Sequence, residues 1–202
     1  MKLPFHRTDA PDDNSTWQRF IAGDVDAFEQ LMSMHFQGLF HYGSKFSRDK
    51  EFVKDAIQDL FLILWEKRRK LSHEVVVRPY LMASLRRLMH RSQQSRFPIL
   101  DISKDNQEAN FEIAFSVEQD YIEHESTIVL ANKLKHLLDQ LPTRQKEVIY
   151  LKFFQEMDRT QISEIMDISP QTVSNLLQIA IKQLKNYWGV TLPIFFLMHI
   201  LI

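Results

Sequence analysis

The segment DRTQISEIMDISPQTVSNLLQ, residues 158–178, decides the fold. Asp158 is a strong helix N-cap. Gln161, three residues on, completes a reciprocal pattern in which cap and third residue each bond the other's backbone N–H. This predicts a short helix from about Arg159 to Met166. Met166-Asp167-Ile168-Ser169 then reads as a turn. Ser169 is a second cap, and Pro170 stands at the first helical position, where its missing N–H costs nothing. The next helix is expected from Pro170 to about Tyr187. Two helices joined by a short turn, the second well capped, make a helix-turn-helix. Ile162, Ile165, Ile168, Val173, Leu176 and Leu177 are spaced to lock the pair together.

An αα-hairpin inside a bundle has the same outline. The caps, the turn length and the polar second helix favour DNA binding. In that motif the N-terminal part of the second helix meets base edges in the major groove. Gln171, Thr172, Ser174, Asn175 and Gln178 are the polar residues available there. From Ser169 to Ile181 there is no Lys or Arg. Phosphate neutralisation supplies most of the affinity of an independent DNA binder. Here it must come from Lys152, Arg159, Lys182 and Lys185 on the flanks, so the domain is expected to bind DNA weakly alone.

Working outward, the apolar spacing stays helical. Leu141-Pro142-Thr143-Arg144-Gln145 precedes a helix with Val148, Ile149, Leu151 and Phe154 apolar. Leu130, Leu134, Leu137, Leu138 and Leu141 form a stripe before it. From Glu51 to Leu71, Val53, Ile57, Leu60 and Leu64 recur at three and four, with Gln58, Phe61 and Trp65 on a neighbouring face. Val75, Val76 and Val77 are the one short β-branched run. The expected fold is all-α: two small helical domains joined by an acidic linker, the second a helix-turn-helix.

Composition sets the outer bounds. The 202 residues have a mass of 24.0 kDa, and 45% hydrophobic content argues against wholesale disorder. Without Cys there is no disulfide, thiol nucleophile or cysteine zinc site. Four Gly argue against Gly-rich phosphate loops. The 8 His show no paired metal-ligand spacing beside carboxylates. No enzyme, cofactor, metal or small-molecule substrate is expected. The start carries Asp9, Asp12 and Asp13 and no apolar core, so no secretory signal is read and a cytoplasmic location is expected.

The net charge of −1 hides a pattern. Residues 1–43 sum to −3, residues 44–96 to +7, residues 97–127 to −7 and residues 128–188 to +2. A basic block beside an acidic one suggests a polyanion-binding part and a separate acidic segment. The expected organisation is an N-terminal extension at 1–14, a first domain at 15–97, the linker at 98–125, the second domain at 126–189 and an apolar tail at 190–202. The tail would span about 20 Å as a helix, short of the roughly 30 Å hydrocarbon core. Packing on its own second domain is its simplest use.

These motifs, in this order, resemble the extracytoplasmic-function (ECF) sigma factors of the sigma-70 family over about residues 15–188. Gly23-Asp24-Val25-Asp26-Ala27-Phe28 looks like the family's opening helix motif. Asp55-Ala56-Ile57-Gln58-Asp59-Leu60-Phe61 through Trp65 is similar to region 2.2. Pro79-Tyr80-Leu81 through Arg91 resembles the helix of regions 2.3 and 2.4, and Leu141-Pro142 through Leu184 resembles region 4. The resemblance implies a factor that binds core RNA polymerase, at the β′ clamp helices and the β flap, and directs promoter-specific initiation.

It assigns Asp55, Gln58, Asp59, Phe61 and Trp65 to the polymerase face, with core packing an equal alternative for Phe61. It gives Arg78, Tyr80, Arg86, Arg87, His90 and Arg91 to the −10 promoter element, where a flipped base enters a pocket. Arg159, Gln171, Thr172, Ser174, Asn175, Gln178 and Lys182 fall to the −35 element. Arg86-Arg87 stands where the family usually has Arg-Asn, which leaves the captured base open. Asp167 stands where Gly is frequent, and Asp tolerates the left-handed conformation. An anti-sigma factor is a further partner in this family. The competing readings are a stand-alone helix-turn-helix regulator, and a sigma factor whose targeting is delegated to a DNA-bound, even RNA-guided, partner.

Overall fold

The computed structural model describes residues 12–96, 111–112 and 135–188. The chain divides into two units, Met1–Asp101 and Ile102–Ile202. Every regular element among the described residues is helical. Most of the expected acidic linker and all of the apolar tail lie outside the described residues.

The first unit contains α1 (Asp13–Ala22), α2 (Val25–Gly43), α3 (Lys50–Lys67), a 3-10 turn (Arg68–Lys70) and α4 (Val77–Arg96). Each of the first three helices starts at an aspartate. Asp12 accepts from the Asn14 N–H, Asp24 from those of Asp26 and Ala27, and Asp49 from that of Phe52. Thus α1 begins inside the stretch assigned to the extension. Between α1 and α2 the chain reverses at Gly23, whose φ of 95° suits glycine. Arg19 donates to the Asp24 carboxylate at 2.8 Å through Nε, and this bond holds the Asp24 pKa below its ordinary value. The motif at residues 23–28 is therefore a turn residue, a cap and then two buried or half-buried core residues, Ala27 and Phe28.

An aromatic chain ties the four helices together. Tyr80 of α4 meets Trp17 at 5.5 Å between centroids, and Trp17 meets Phe20 at 5.3 Å. Phe20 reaches Phe28 and Trp65, and Phe28 in turn packs on Phe61 and Trp65. Such pairs add roughly 0.5–1.5 kcal/mol each beyond the area they bury. Leu31, Leu39, Val53, Ile57, Leu60, Leu81 and Leu85 complete the core. Helices α2, α3 and α4 come so close at Gly43 that an added Cβ would lie 2.7 Å from Val53 Cγ1.

The connection from the 3-10 turn to α4 is held by α1. Trp17 Nε1 donates to the Ser72 carbonyl at 3.0 Å, and Gln18 Nε2 donates to that of His73 at 2.6 Å. The Val75–Val77 run is not a strand: Val77 opens α4 and is buried, while Val76 is 58% exposed.

In the second unit, helical residues 135–139 precede α5 (Thr143–Ile149), a π-helical turn (Tyr150–Phe154), α6 (Arg159–Met166) and α7 (Pro170–Trp188). Leu137, Leu138, Leu141, Val148, Ile149 and Leu151 are buried with Ile162, Ile165 and Val173. Ile168, Leu176 and Leu177 are half-buried. Phe111, from the acidic stretch, is 2% exposed and meets Tyr150 edge-on at 5.6 Å. This phenylalanine is part of a packed core, although it lies in the stretch assigned to the acidic linker.

Candidate nucleic-acid interface

Helix α4 carries the basic residues on more than one face. Tyr80, Ser84, Arg87, Leu88 and Arg91 follow helical spacing and line a cleft against α3. Leu60, Ile63 and Leu64 of α3 form its apolar side, and Lys67 and Leu71 also line it. The cavity volume is about 250 Å³. Arg87 Nη2 donates to Ser84 Oγ at 3.3 Å, so the guanidinium lies along the cleft wall. Arg87 and Arg91 are exposed and Tyr80 is half-buried. An apolar slot rimmed by cations can take a planar aromatic ring with a phosphate on either side.

The other basic residues of α4 lie elsewhere. His90 packs edge-on against Phe46 at 5.7 Å, and Arg86, four residues before it, shares that face. Arg78 lines a separate cavity of about 300 Å³ with Asp13, His35 and Leu81. There His35 Nε2 lies 3.3 Å from Asp13 Oδ1, and His35 is buried. Burial pushes its imidazole pKa below the ordinary value; Asp13 opposes this shift and Arg78 adds to it. Of the six α4 residues singled out from sequence, the structure brings together Tyr80, Arg87 and Arg91. Lys67, Leu71, Ser84 and Leu88 were missed. Their common signal is the facing register of α3 and α4, which one helix's periodicity does not contain.

On α3 the outer face is formed by exposed Asp55, Gln58 and Asp59. Phe61 does not join them. It is 2% exposed and packs edge-on to Phe28 at 6.1 Å, because its position on the helix points it at α2. Leu62, four residues after Gln58, takes the outward place and is 57% exposed. Trp65 is half-buried in the aromatic chain, with the Arg68 guanidinium 4.2 Å from its ring centroid. The outer stripe therefore reads Asp55, Gln58, Asp59 and Leu62, with the edge of Trp65 beside it.

In the helix-turn-helix both caps form as the sequence predicts. The Gln161 N–H donates to Asp158 Oδ1 and the Asp158 N–H to Gln161 Oε1, each at 2.9 Å. The Thr172 N–H donates to Ser169 Oγ at 3.1 Å. Asp167 ends α6 at φ 54° and ψ 51°, in the left-handed region expected of it. Thr172 Oγ1 is bonded to Ser169 Oγ, and Ser174 Oγ donates to the Pro170 carbonyl. Both hydroxyls are thus engaged with their own helix. Gln171 Nε2 donates to Asn175 Oδ1 at 3.0 Å, making one amide pair on the exposed side of α7. Gln178, Lys182 and Arg159 are exposed. An amide side chain of this type matches adenine N6 and N7 in the major groove.

Among the described residues no helix is long and apolar enough to cross a membrane, and no cluster of His, Asp or Glu could hold a metal ion.

Residues 131–184 match the family described as sigma-70, region 4. The chain is 23% identical over 194 residues to the ECF RNA polymerase sigma factor SigK of Mycobacterium sp. (strain JLS), covering 95% of this chain and 96% of that protein. It is 26% identical over 171 residues to the RNA polymerase sigma factor NccH of Alcaligenes xylosoxydans xylosoxydans, covering 83% and 90%. The fold is similar to that of the sigma factor RpoE solved in complex with the anti-sigma factor NepR from Bartonella quintana. The TM-score is 0.59 at 18% identity, over 83% of this chain and 99% of that one.

Proposed function

We infer that this chain is an RNA polymerase sigma factor of the ECF type, with residues 131–184 as its region 4. The observation that carries the reading is the pairing along one chain of two different units. A helical unit with a cation-rimmed apolar cleft precedes a helix-turn-helix that matches region 4. A stand-alone regulator has no use for the first unit.

The division of labour follows from the faces. The outer stripe of α3, with Asp55, Gln58, Asp59 and Leu62, docks on core polymerase: an apolar centre with a polar rim suits a helix-on-helix contact. The cleft between α3 and α4 takes a base flipped from the melted non-template strand at the −10 element. Unstacking a base costs a few kcal/mol, and stacking on an aromatic ring, here that of Tyr80, returns roughly 1–3 kcal/mol. Arg91 and Lys67 bind the adjoining phosphates, and the Trp17 and Gln18 bonds fix the loop that leads into α4.

In the second unit α7 faces the −35 element, with the Gln171–Asn175 pair toward the bases and Arg159 and Lys182 toward phosphates. An anti-sigma factor that covers these faces would silence the protein. Its working place is the cytoplasm, beside polymerase and DNA, and its role is binding rather than catalysis.

The absence of Lys and Arg between Ser169 and Ile181 favours one second reading, in which a DNA-bound partner helps to bring the factor to its site. Binding and transcription assays with purified core polymerase test the proposal. Factor-dependent starts at defined sequences support it. Failure to bind core polymerase refutes it.

A further inference from the structure

The cleft between α3 and α4 has a one-sided polar inventory. Lys67, Arg87 and Arg91 offer only donors. Its other polar side chains are the hydroxyls of Tyr80 and Ser84, and no carboxylate or side-chain amide lines it among the described residues. A base whose major-groove edge turns an exocyclic amino group toward this wall would face three donor-only cations and find side-chain acceptors only in the two hydroxyls. Adenine and cytosine do so through N6 and N4, whereas guanine presents two adjacent acceptors, O6 and N7. Thymine offers the single acceptor O4 on that edge.

Arg87 is the wall residue shaped for two parallel bonds. Its planar fork matches a pair of adjacent acceptors. The Ser84 bond occupies one N–H of Nη2 and orients the group, leaving the other guanidinium donors for a ligand. Lys67 supplies a point charge to the cleft and cannot make this paired contact.

We propose that Arg87 makes the cleft selective for guanine in the captured strand. This rests on the sigma-factor reading above and adds to it the identity of the base. The test is transcription by core polymerase and the full chain on duplex templates in which a run of positions upstream of the start is randomised. The wild-type chain, R87A and R87K are compared. With the wild-type chain, guanine is enriched about tenfold at one position. In R87A that enrichment collapses at the same position alone. R87K keeps the charge, loses the fork, and loses the guanine preference while still supporting more transcripts than R87A.

An unchanged base profile in R87A, or enrichment of adenine or cytosine at the position R87A affects, overturns the assignment and leaves the sigma-factor reading intact. If no factor-dependent transcript forms on any template, the sigma-factor reading itself falls and takes the base assignment with it.

Discussion

Gly43→Ala sets two effects against each other, and the structure decides between them. Alanine favours helix over glycine by roughly 0.8–1 kcal/mol in a helix interior. Gly43 is the last residue of α2, so it captures only part of that gain. Against this, the new Cβ would lie 2.7 Å from Val53 Cγ1, while apolar carbons rest at about 3.5–4.0 Å. Relief requires a shift of roughly 1 Å. Val53 is fully buried, and a β-branched side chain in a helix has one strongly preferred rotamer, so it cannot turn aside. Retreat the other way is blocked by Met89 Sδ at 3.4 Å and Leu85 Cδ2 at 3.5 Å. Overpacking of this kind costs about 1–3 kcal/mol, so the net expectation is a loss of about 1–2 kcal/mol.

Urea unfolding of the full chain, followed by tryptophan fluorescence, measures it, since Trp17 and Trp65 both sit in the affected core. For m near 2 kcal/mol/M the midpoint falls by roughly 0.5–1 M. Gly38→Ala in the same helix is the control. Nothing lies within 4 Å of its added Cβ, so it should stabilise by up to about 1 kcal/mol. A neutral or stabilising Gly43→Ala would refute the close approach of α2, α3 and α4.

Three further outcomes are expected. Asp167→Gly removes the left-handed strain of the helix-turn-helix and should stabilise the second unit by about 0.5–1 kcal/mol, whereas Asp167→Val should cost about 1–2 kcal/mol; thermal unfolding reads both. Burial lowers the His35 pKa, so the unfolded chain takes up its proton first as pH falls below about 6.5. Stability should therefore decline as pH falls through about 6.5, and less steeply in His35→Gln; equal slopes would remove His35 from the explanation. Replacing Gln58 and Leu62 together by Ala should weaken core polymerase binding by about 1–3 kcal/mol without lowering the unfolding midpoint, because both side chains are exposed. Unchanged affinity in a titration would move the docking face elsewhere.

What the sequence made legible was local. The caps at Asp158 and Ser169, the αL turn at Asp167 and the core stripe of α3 depend on neighbours a few residues away, and spacing exposes them. The cleft is different. Lys67 and Leu71 line one cleft with Ser84 and Leu88 only because α3 and α4 pack in one register, and that register rests on the Gly43 approach and the aromatic chain from Tyr80 to Phe61. Phe61 and Leu62 make the same point on one helix. Both are large and apolar, and only the position of α2 decides which turns inward. Phe111 is buried although its surroundings are acidic, since composition averages over the residue that packs. At α7, the sequence offered five polar residues, but the hydrogen bonds of Thr172 and Ser174 within the helix narrow the outward set to Gln171, Asn175 and Gln178.

As a sigma factor, this chain should give core polymerase a promoter specificity. Transcription of a genomic fragment library by purified core polymerase, with and without the full chain, is the decisive measurement. Starts are expected that appear only with the chain and share a common upstream sequence. Core polymerase that neither binds the chain nor changes its starts in its presence would contradict this.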